Sequence, residues 1–319
     1  MRRTLPRGDR RGMAERRRCL AGWLLRAAGV PLAALPQPAL LALARTAARL
    51  TRPLQRRRAR IAATNLALCL PGMDPQARDR LCRETLDQAA IGLFEMLRAW
   101  YAPPARLAPL YTVEGREHLL AAQREGRGTI LLTAHFTTLE MAVRLAAELM
   151  DLPLTAMRRP HNDPCLEAEI DRCRRLRCGP TLDKRDVRGL LAALARNETV
   201  IYAADQDFTF QHAFVPFFGV PAATLTTTAR IAARSRAVVL PYWCHRDARG
   251  IYRVRIDPPW EGWPSGHAEA DAARYMAAIE REARAHLPQY LWVHRRFKTR
   301  PPGEPPLYPP KRRKRQPPA

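Results

Sequence analysis

His135 and Glu140 are the residues whose type and spacing most directly suggest chemistry. They lie in the segment Ala134-His135-Phe136-Thr137-Thr138-Leu139-Glu140, just past an apolar run, Thr129 to Ala134, that reads as a strand. Five residues apart, they would stand about 140° from one another on a continuous helix and point oppositely on a strand. They meet only if the chain turns between them, and Thr137-Thr138 offers a helix N-cap there. A histidine held by a carboxylate is the general-base half of a triad-like arrangement. No Gly-x-Ser-x-Gly elbow or Cys-His signature supplies a protein nucleophile, so the base would activate a hydroxyl on the substrate itself. Taken alone, a histidine near a glutamate is more often structural.

The elements around this pair set its position. From residue 111 to about 300, short apolar runs alternate with amphipathic ones. Strands are expected at Thr129 to Ala134, Leu154 to Met157, Thr199 to Ala203, Ala237 to Trp243 and Tyr252 to Ile256. Helices are expected at Thr138 to Leu149, Pro164 to Leu176, Val187 to Ala195, Thr226 to Arg234 and Ala268 to Leu287. Such alternation predicts an α/β domain with a mostly parallel sheet flanked by helices. Ligands of these sheets bind at the carboxyl ends of the strands, and His135 sits at one such end. Residues 51 to 110 read as a helical segment, with Ile61, Leu66, Leu81, Leu86, Ile91 and Met96 at helical spacing and Pro71-Gly72 as a break.

Ahead of that segment, Ala27 to Ala44 carries no charge over eighteen residues. As a helix it would reach about 27 Å, just short of a hydrocarbon core of about 30 Å. Residues 19 to 50 are therefore expected to anchor the chain in a membrane, spanning it or partly inserted. Pro31, Pro36 and Pro38 keep open the alternative of a buried helical hairpin.

The chain of 319 residues holds 54 basic and 30 acidic residues, a net charge of +24. The excess is concentrated in the tail of residues 1 to 18, in Arg52 to Arg60, and in Lys311 to Arg315. Anionic partners are expected for such segments, whether acidic lipid, acidic protein or nucleic acid. The tail from Pro301 is proline-rich and reads as disordered. The seven cysteines are scattered without a CxxC pair, which fits reduced thiols rather than a disulfide framework or a zinc site.

Residues from about Arg57 to Tyr308 resemble the late acyltransferases of lipid A biosynthesis, the lauroyl and myristoyl transferases of Gram-negative bacteria. The resemblance rests on RRRARIAATNLALCLPG near residue 57, TAHFTTLE as an H-x4-E/D motif, and RRPHNDP at 158 to 164. It continues through DQDFTFQHAFVPFFGVPA from 205 and QYLWVHRRFKTRPPGEPPLY at 289 to 308. It implies a membrane-bound enzyme that passes a fatty acyl group from acyl carrier protein to a hydroxyl of a lipid A precursor. Neither a metal nor another cofactor is implied, nor a nucleic-acid partner. The active site would face the cytoplasm from the inner membrane. By matching position, His135 would be the general base, Glu140 its orienting carboxylate, and Arg174, Asp205 and Arg159 substrate-binding residues. Asp205 could alternatively fix Arg174. Arg158 and Thr209 depart from the family pattern near the acceptor path. Another lipid acceptor remains open within this class, and a non-catalytic basic membrane- or nucleic-acid-binding protein remains open outside it.

Overall fold

Thr129–Thr133 and Thr199–Ala203 are nearly continuous apolar runs, the pattern of strands covered on both faces. Both lie at the centre of a sheet. The structure, a computed structural model, describes residues 8–150 and 154–309, with side chains from Cys19 onward. The side chains of the basic N-terminal tail and the Lys311 to Arg315 run lie outside the described residues.

In chain order the elements begin with five helices: α1 (Gly8–Ala34), α2 (Gln37–Thr51), α3 (Arg56–Cys69), α4 (Pro75–Tyr101) and α5 (Pro104–Leu107). Then come β1 (Tyr111–Glu114), α6 (Arg116–Arg124), β2 (Thr129–Thr133), α7 (Leu139–Glu148), β3 (Leu154–Arg158) and α8 (Pro164–Arg177). They are followed by β4 (Thr181–Asp183), α9 (Val187–Ala195), β5 (Thr199–Ala203), β6 (His212–Phe217) and β7 (Val220–Leu225). The remainder is α10 (Thr227–Ser235), β8 (Val238–Arg246), β9 (Tyr252–Ile256) and α11 (Ala268–Ala285).

The seven-stranded sheet has the order β1-β9-β8-β2-β5-β3-β4. Its neighbours run parallel except at the β8–β9 hairpin, so the expected α/β class with a mostly parallel sheet is what the chain adopts. Alternate strand residues feed two cores. Ile130, Leu132 and Val200 pack with α9, α10 and α11, whereas Leu131 and Ile201 pack with α7 and the end of α4.

Three short features were not anticipated. β1 and β4 are three or four residues long, too short for a period to show. β6 and β7 form a separate hairpin in which Pro216 faces Pro221. Proline argues against a central strand, but a two-stranded ribbon consists only of edges, where it is tolerated. Phe218 and Gly219 turn the hairpin with positive φ of 53° and 77°, the backbone such tight turns need.

Residues 19 to 50, where a membrane anchor is expected, form two helices. Pro36 separates α1 from α2, and among the described residues no helix is long and apolar enough to cross a membrane. α2 spends its apolar stripe on protein, burying Leu40, Leu41, Ala44 and Ala48 as it packs on α4. α1 packs against α4 and α8, so closely that a Cβ on Gly22 would lie 2.6 Å from the Cys165 carbonyl oxygen. Outward, the pair still shows Leu20, Trp23 (66% exposed), Leu24, Val30 and Leu50, and Leu54 follows at 83%. The segment from Pro301 to Pro309 is also not a loose tail. Tyr308 is buried and its hydroxyl accepts from the Phe297 N–H at 3.1 Å.

Candidate active site

β2 and β5 are adjacent parallel strands with Thr133 opposite Ala203. Two residues further along each chain stand His135 and Asp205, brought side by side by this register. Each follows an alanine buried in the same core, Ala134 and Ala204. His135 Nδ1 lies 2.6 Å from Asp205 Oδ1, and the His135 backbone N–H donates to both Asp205 oxygens at 3.1 Å. The Tyr290 hydroxyl donates to Asp205 Oδ2 at 3.0 Å. Asp205 is almost wholly enclosed, at 2% exposure, while the His135 side chain keeps 25%. Burial pushes the Asp205 carboxyl up, but the His135 charge and the hydrogen bonds from His135 and Tyr290 outweigh it and hold the group at about 2.

A second chain segment secures the histidine loop. Phe136 bridges to Tyr290, the Leu291 N–H donates to the His135 carbonyl at 3.0 Å, and the Thr137 N–H donates to the Gln289 carbonyl at 2.8 Å. On the other side α4 presses against the loop at Gly92, where a Cβ would sit 2.6 Å from the Thr137 carbonyl oxygen. The imidazole is thus fixed by its own backbone, by Asp205 and by the extended segment 289–291. Nδ1 faces Asp205, which leaves Nε2 as the nitrogen open to a ligand. Among the described residues Nε2 makes no hydrogen bond.

Glu140 sits in the first turn of α7, as the expected turn at Thr138 requires. The structure does not bring it to His135: among the described residues no hydrogen bond joins the two. Its carboxylate instead forms an ion pair with Arg174, and Glu140 Oε2 accepts from Trp100 Nε1–H at 2.8 Å. The reason is geometric. The helix begins after Thr138 and carries Glu140 away toward α8, whereas the β2–β5 register has already placed Asp205 against the ring. Arg174 stacks over the Trp100 ring with its guanidinium carbon 5.8 Å from the centroid, so the indole holds both partners.

Arg159 stands apart. It is exposed, and among the described residues its side chain's one hydrogen bond is to Asn162 at 3.4 Å. Its neighbour Arg158 is engaged by Glu167 and Asp171 and serves the β3–α8 junction. The residues missed from the sequence are Tyr290 and Trp100. Tyr290 lay within the QYLW segment but nothing marked its hydroxyl, and Trp100 read only as part of a helix.

Among the described residues, His245, Glu282 and His286 place potential metal-ligand atoms within 4.8 Å of one another. The two rings are stacked at 3.7 Å with an interplanar angle of 18°, and Glu282 is also paired with Arg255. Lone pairs in two parallel ring planes do not converge on one ion, and a guanidinium on the carboxylate opposes a cation. This cluster therefore fits packing beneath Phe136, whose ring meets His245 edge-on at 4.5 Å, better than a metal centre.

Comparison with known proteins places this arrangement in context. The profile of the bacterial lipid A biosynthesis acyltransferase family matches residues 12–299. A lipid A biosynthesis palmitoleoyltransferase of Escherichia coli (strain K12) is 36% identical over 278 residues, covering 86% of this chain and 90% of the relative. A lipid A biosynthesis lauroyltransferase of the same organism is 36% identical over 279 residues with the same coverage. A lipid A biosynthesis myristoyltransferase, also from that organism, is 26% identical over 291 residues, 88% of each chain.

Proposed function

Since the chain belongs to the bacterial lipid A biosynthesis acyltransferase family and is an acyltransferase, we propose that it moves a fatty acyl chain from acyl carrier protein to a hydroxyl of a lipid A precursor. The observation that carries the mechanism is the His135–Asp205 contact, with Nδ1 bound to a buried carboxylate and Nε2 left open. Nε2 takes the proton of the acceptor hydroxyl as its oxygen attacks the thioester carbonyl. The tetrahedral intermediate collapses, the carbon–sulfur bond breaks, and the proton passes to the departing thiolate, leaving an ester and a free thiol. Asp205 fixes the ring's tautomer and stabilises the imidazolium that forms between these steps.

Glu140 acts on this chemistry through Arg174. Held by Glu140 and Trp100, the guanidinium is ready to grip a phosphate or carboxylate of the acceptor, or the phosphate of the carrier's prosthetic arm, through two hydrogen bonds. Arg159 is exposed on the same carboxyl edge, where it can meet the same anionic substrates.

The membrane reading follows from the outward sides of α1 and α2. Leu20, Trp23, Leu24, Val30, Leu50 and Leu54 are exposed beside Arg56, Arg57 and Arg58. Apolar side chains that enter the acyl boundary, with arginines at headgroup level, suit a helical pair lying in the interface of the inner membrane rather than spanning it. The catalytic domain then faces the cytoplasm, where its carrier-protein donor is found.

The test is acyl transfer by the purified protein in mixed micelles, from a panel of long-chain acyl carrier protein thioesters to a lipid A precursor. The product is a precursor heavier by one acyl group in mass spectrometry. If no thioester in the panel gave that product, the proposed reaction would be overturned.

A further inference from the structure

The carboxyl edge of the sheet continues past the site to its outer strands. β3 and β4 end side by side, Arg158 opposite Asp183, and the turn Lys184-Arg185-Asp186 leads into α9. Both acids here are turned to backbone. Asp183 Oδ1 accepts from the Arg185 N–H at 2.9 Å, and Asp186 Oδ1 accepts from the Gly189 N–H at 2.8 Å. Lys184, Arg185 and Arg188 are exposed, and among the described residues none of the three has an ion pair. The nearby arginines 158, 172, 174 and 175 differ, each being paired with a carboxylate. The three unpaired cations surround Val187, itself 43% exposed.

The place of this patch is informative in two ways. β4 is three strands from β2 in the order β2-β5-β3-β4. At about 4.8 Å per strand the patch lies roughly 14 Å from His135 along one edge, a span for a long flexible arm rather than a direct contact. The patch is also on the layer away from the exposed apolar helix α1. α9 packs in the core that holds α10 and α11, whereas α1 packs by Ala33 in the opposite core, with Cys173 of α8. A lipid surface fits the many exposed apolar residues of α1 and α2; the patch offers one valine among cations.

We infer that Lys184, Arg185 and Arg188 form the docking surface for the carrier protein that presents the acyl thioester. The inference rests on the reading of acyl carrier protein as donor. An acidic partner seated at the start of α9 sends its prosthetic arm along the ends of β3 and β5 to His135, passing Arg174. The lipid acceptor enters from the side of α1 and α2, so the two substrates reach the imidazole from opposite layers of the sheet.

The experiment compares the native chain with an Arg185→Glu/Arg188→Glu variant and with Arg185→Ala as a milder change. Steady-state rates are taken with an acyl carrier protein thioester and with the corresponding acyl-pantetheine thioester, which has an arm but no carrier. For the carrier thioester KM should rise about tenfold in the double variant and the salt dependence should flatten, because steering charges act on encounter. Its kcat, and the rate with acyl-pantetheine, should stay unchanged. An unchanged KM in a variant, where the native chain turns over the carrier thioester, overturns the docking surface. A native chain that uses acyl-pantetheine but not the carrier thioester overturns the donor reading instead. Loss of co-sedimentation with phosphatidylglycerol-containing vesicles by the variant, at unchanged KM, assigns the patch to lipid and likewise overturns the inference.

Discussion

The site contains two side-chain pairs built on different supports. His135 and Asp205 stand at the ends of adjacent parallel strands, their separation fixed by ladder register, with one carboxylate buried and tied to a backbone N–H and a tyrosine hydroxyl. Glu140 and Arg174 meet across two helices, α7 and α8, with side-chain exposures of 25% and 17% and an indole as their common support. The strand pair has little freedom, since moving either member breaks bonds within the sheet or its immediate extensions. The helix pair can separate without unfolding anything. A fixed pair suits proton transfer, where geometry must be held, and a separable pair suits the role proposed for Arg174, whose guanidinium would exchange a protein carboxylate for a substrate anion.

The largest effect is expected from the strand pair. His135→Ala removes the proposed base and should lower turnover by about 10² to 10⁴-fold, with little change in melting temperature. Near-normal acyl transfer by this variant would end the mechanism. Asp205→Asn should cost a comparable factor, because a neutral amide neither stabilises the imidazolium nor enforces the same tautomer. If the two act as one unit, the double variant should be scarcely worse than the weaker single one. Multiplicative losses would show that the strand pair is not coupled.

The helix pair should respond more gently and differently. Arg174→Ala is expected to raise KM for the anionic substrates more than it lowers kcat, with Arg174→Lys recovering only part of the loss. Glu140→Gln should resemble Arg174→Ala rather than His135→Ala in its pH–rate profile. Were Glu140→Gln instead to reproduce the profile of Asp205→Asn, the division between the two pairs would fail.

The smallest effect is on stability against pH, where the strand pair's Asp205 behaves differently from the buried histidines around it. Burial lowers the His294 ring to about 4, and burial with the neighbouring His245 lowers His286 to about 4, from an ordinary value near 6.5. The unfolded chain therefore takes up these protons first, so stability should decline as pH falls from about 6.5 toward about 4. Asp205, held at about 2, keeps its contribution through that window and loses it only below about pH 4. Melting temperature measured against pH should show the first decline, and His286→Gln should shrink it. A flat curve between pH 6.5 and 4 would contradict the assignment.

How far the sequence went can be judged at particular residues. The apolar runs of β2, β5 and β8 and the amphipathic runs of α7 to α11 marked an α/β sheet, because strand and helix periods are local properties of the chain. They also put His135 at a strand end, and the order of matching segments identified the family. The N-terminal run was apolar enough to suggest a membrane anchor. Only packing showed that α2 buries Leu40 and Leu41 against the protein while α1 keeps Trp23 and its neighbours outward. A run of apolar residues does not record whether protein or lipid will cover it.

The identity of the carboxylate beside His135 was the decisive point that local pattern could not reach. Glu140 is five residues away in the chain but belongs to a helix whose first turn faces α8 and Trp100. Asp205 is 70 residues away, yet parallel pairing of Thr133 with Ala203 sets it against the ring. Parallel strands must be joined by long crossovers, so their register depends on how every intervening helix packs. Sequence determined which groups were available for the chemistry; tertiary structure decided which of them touch.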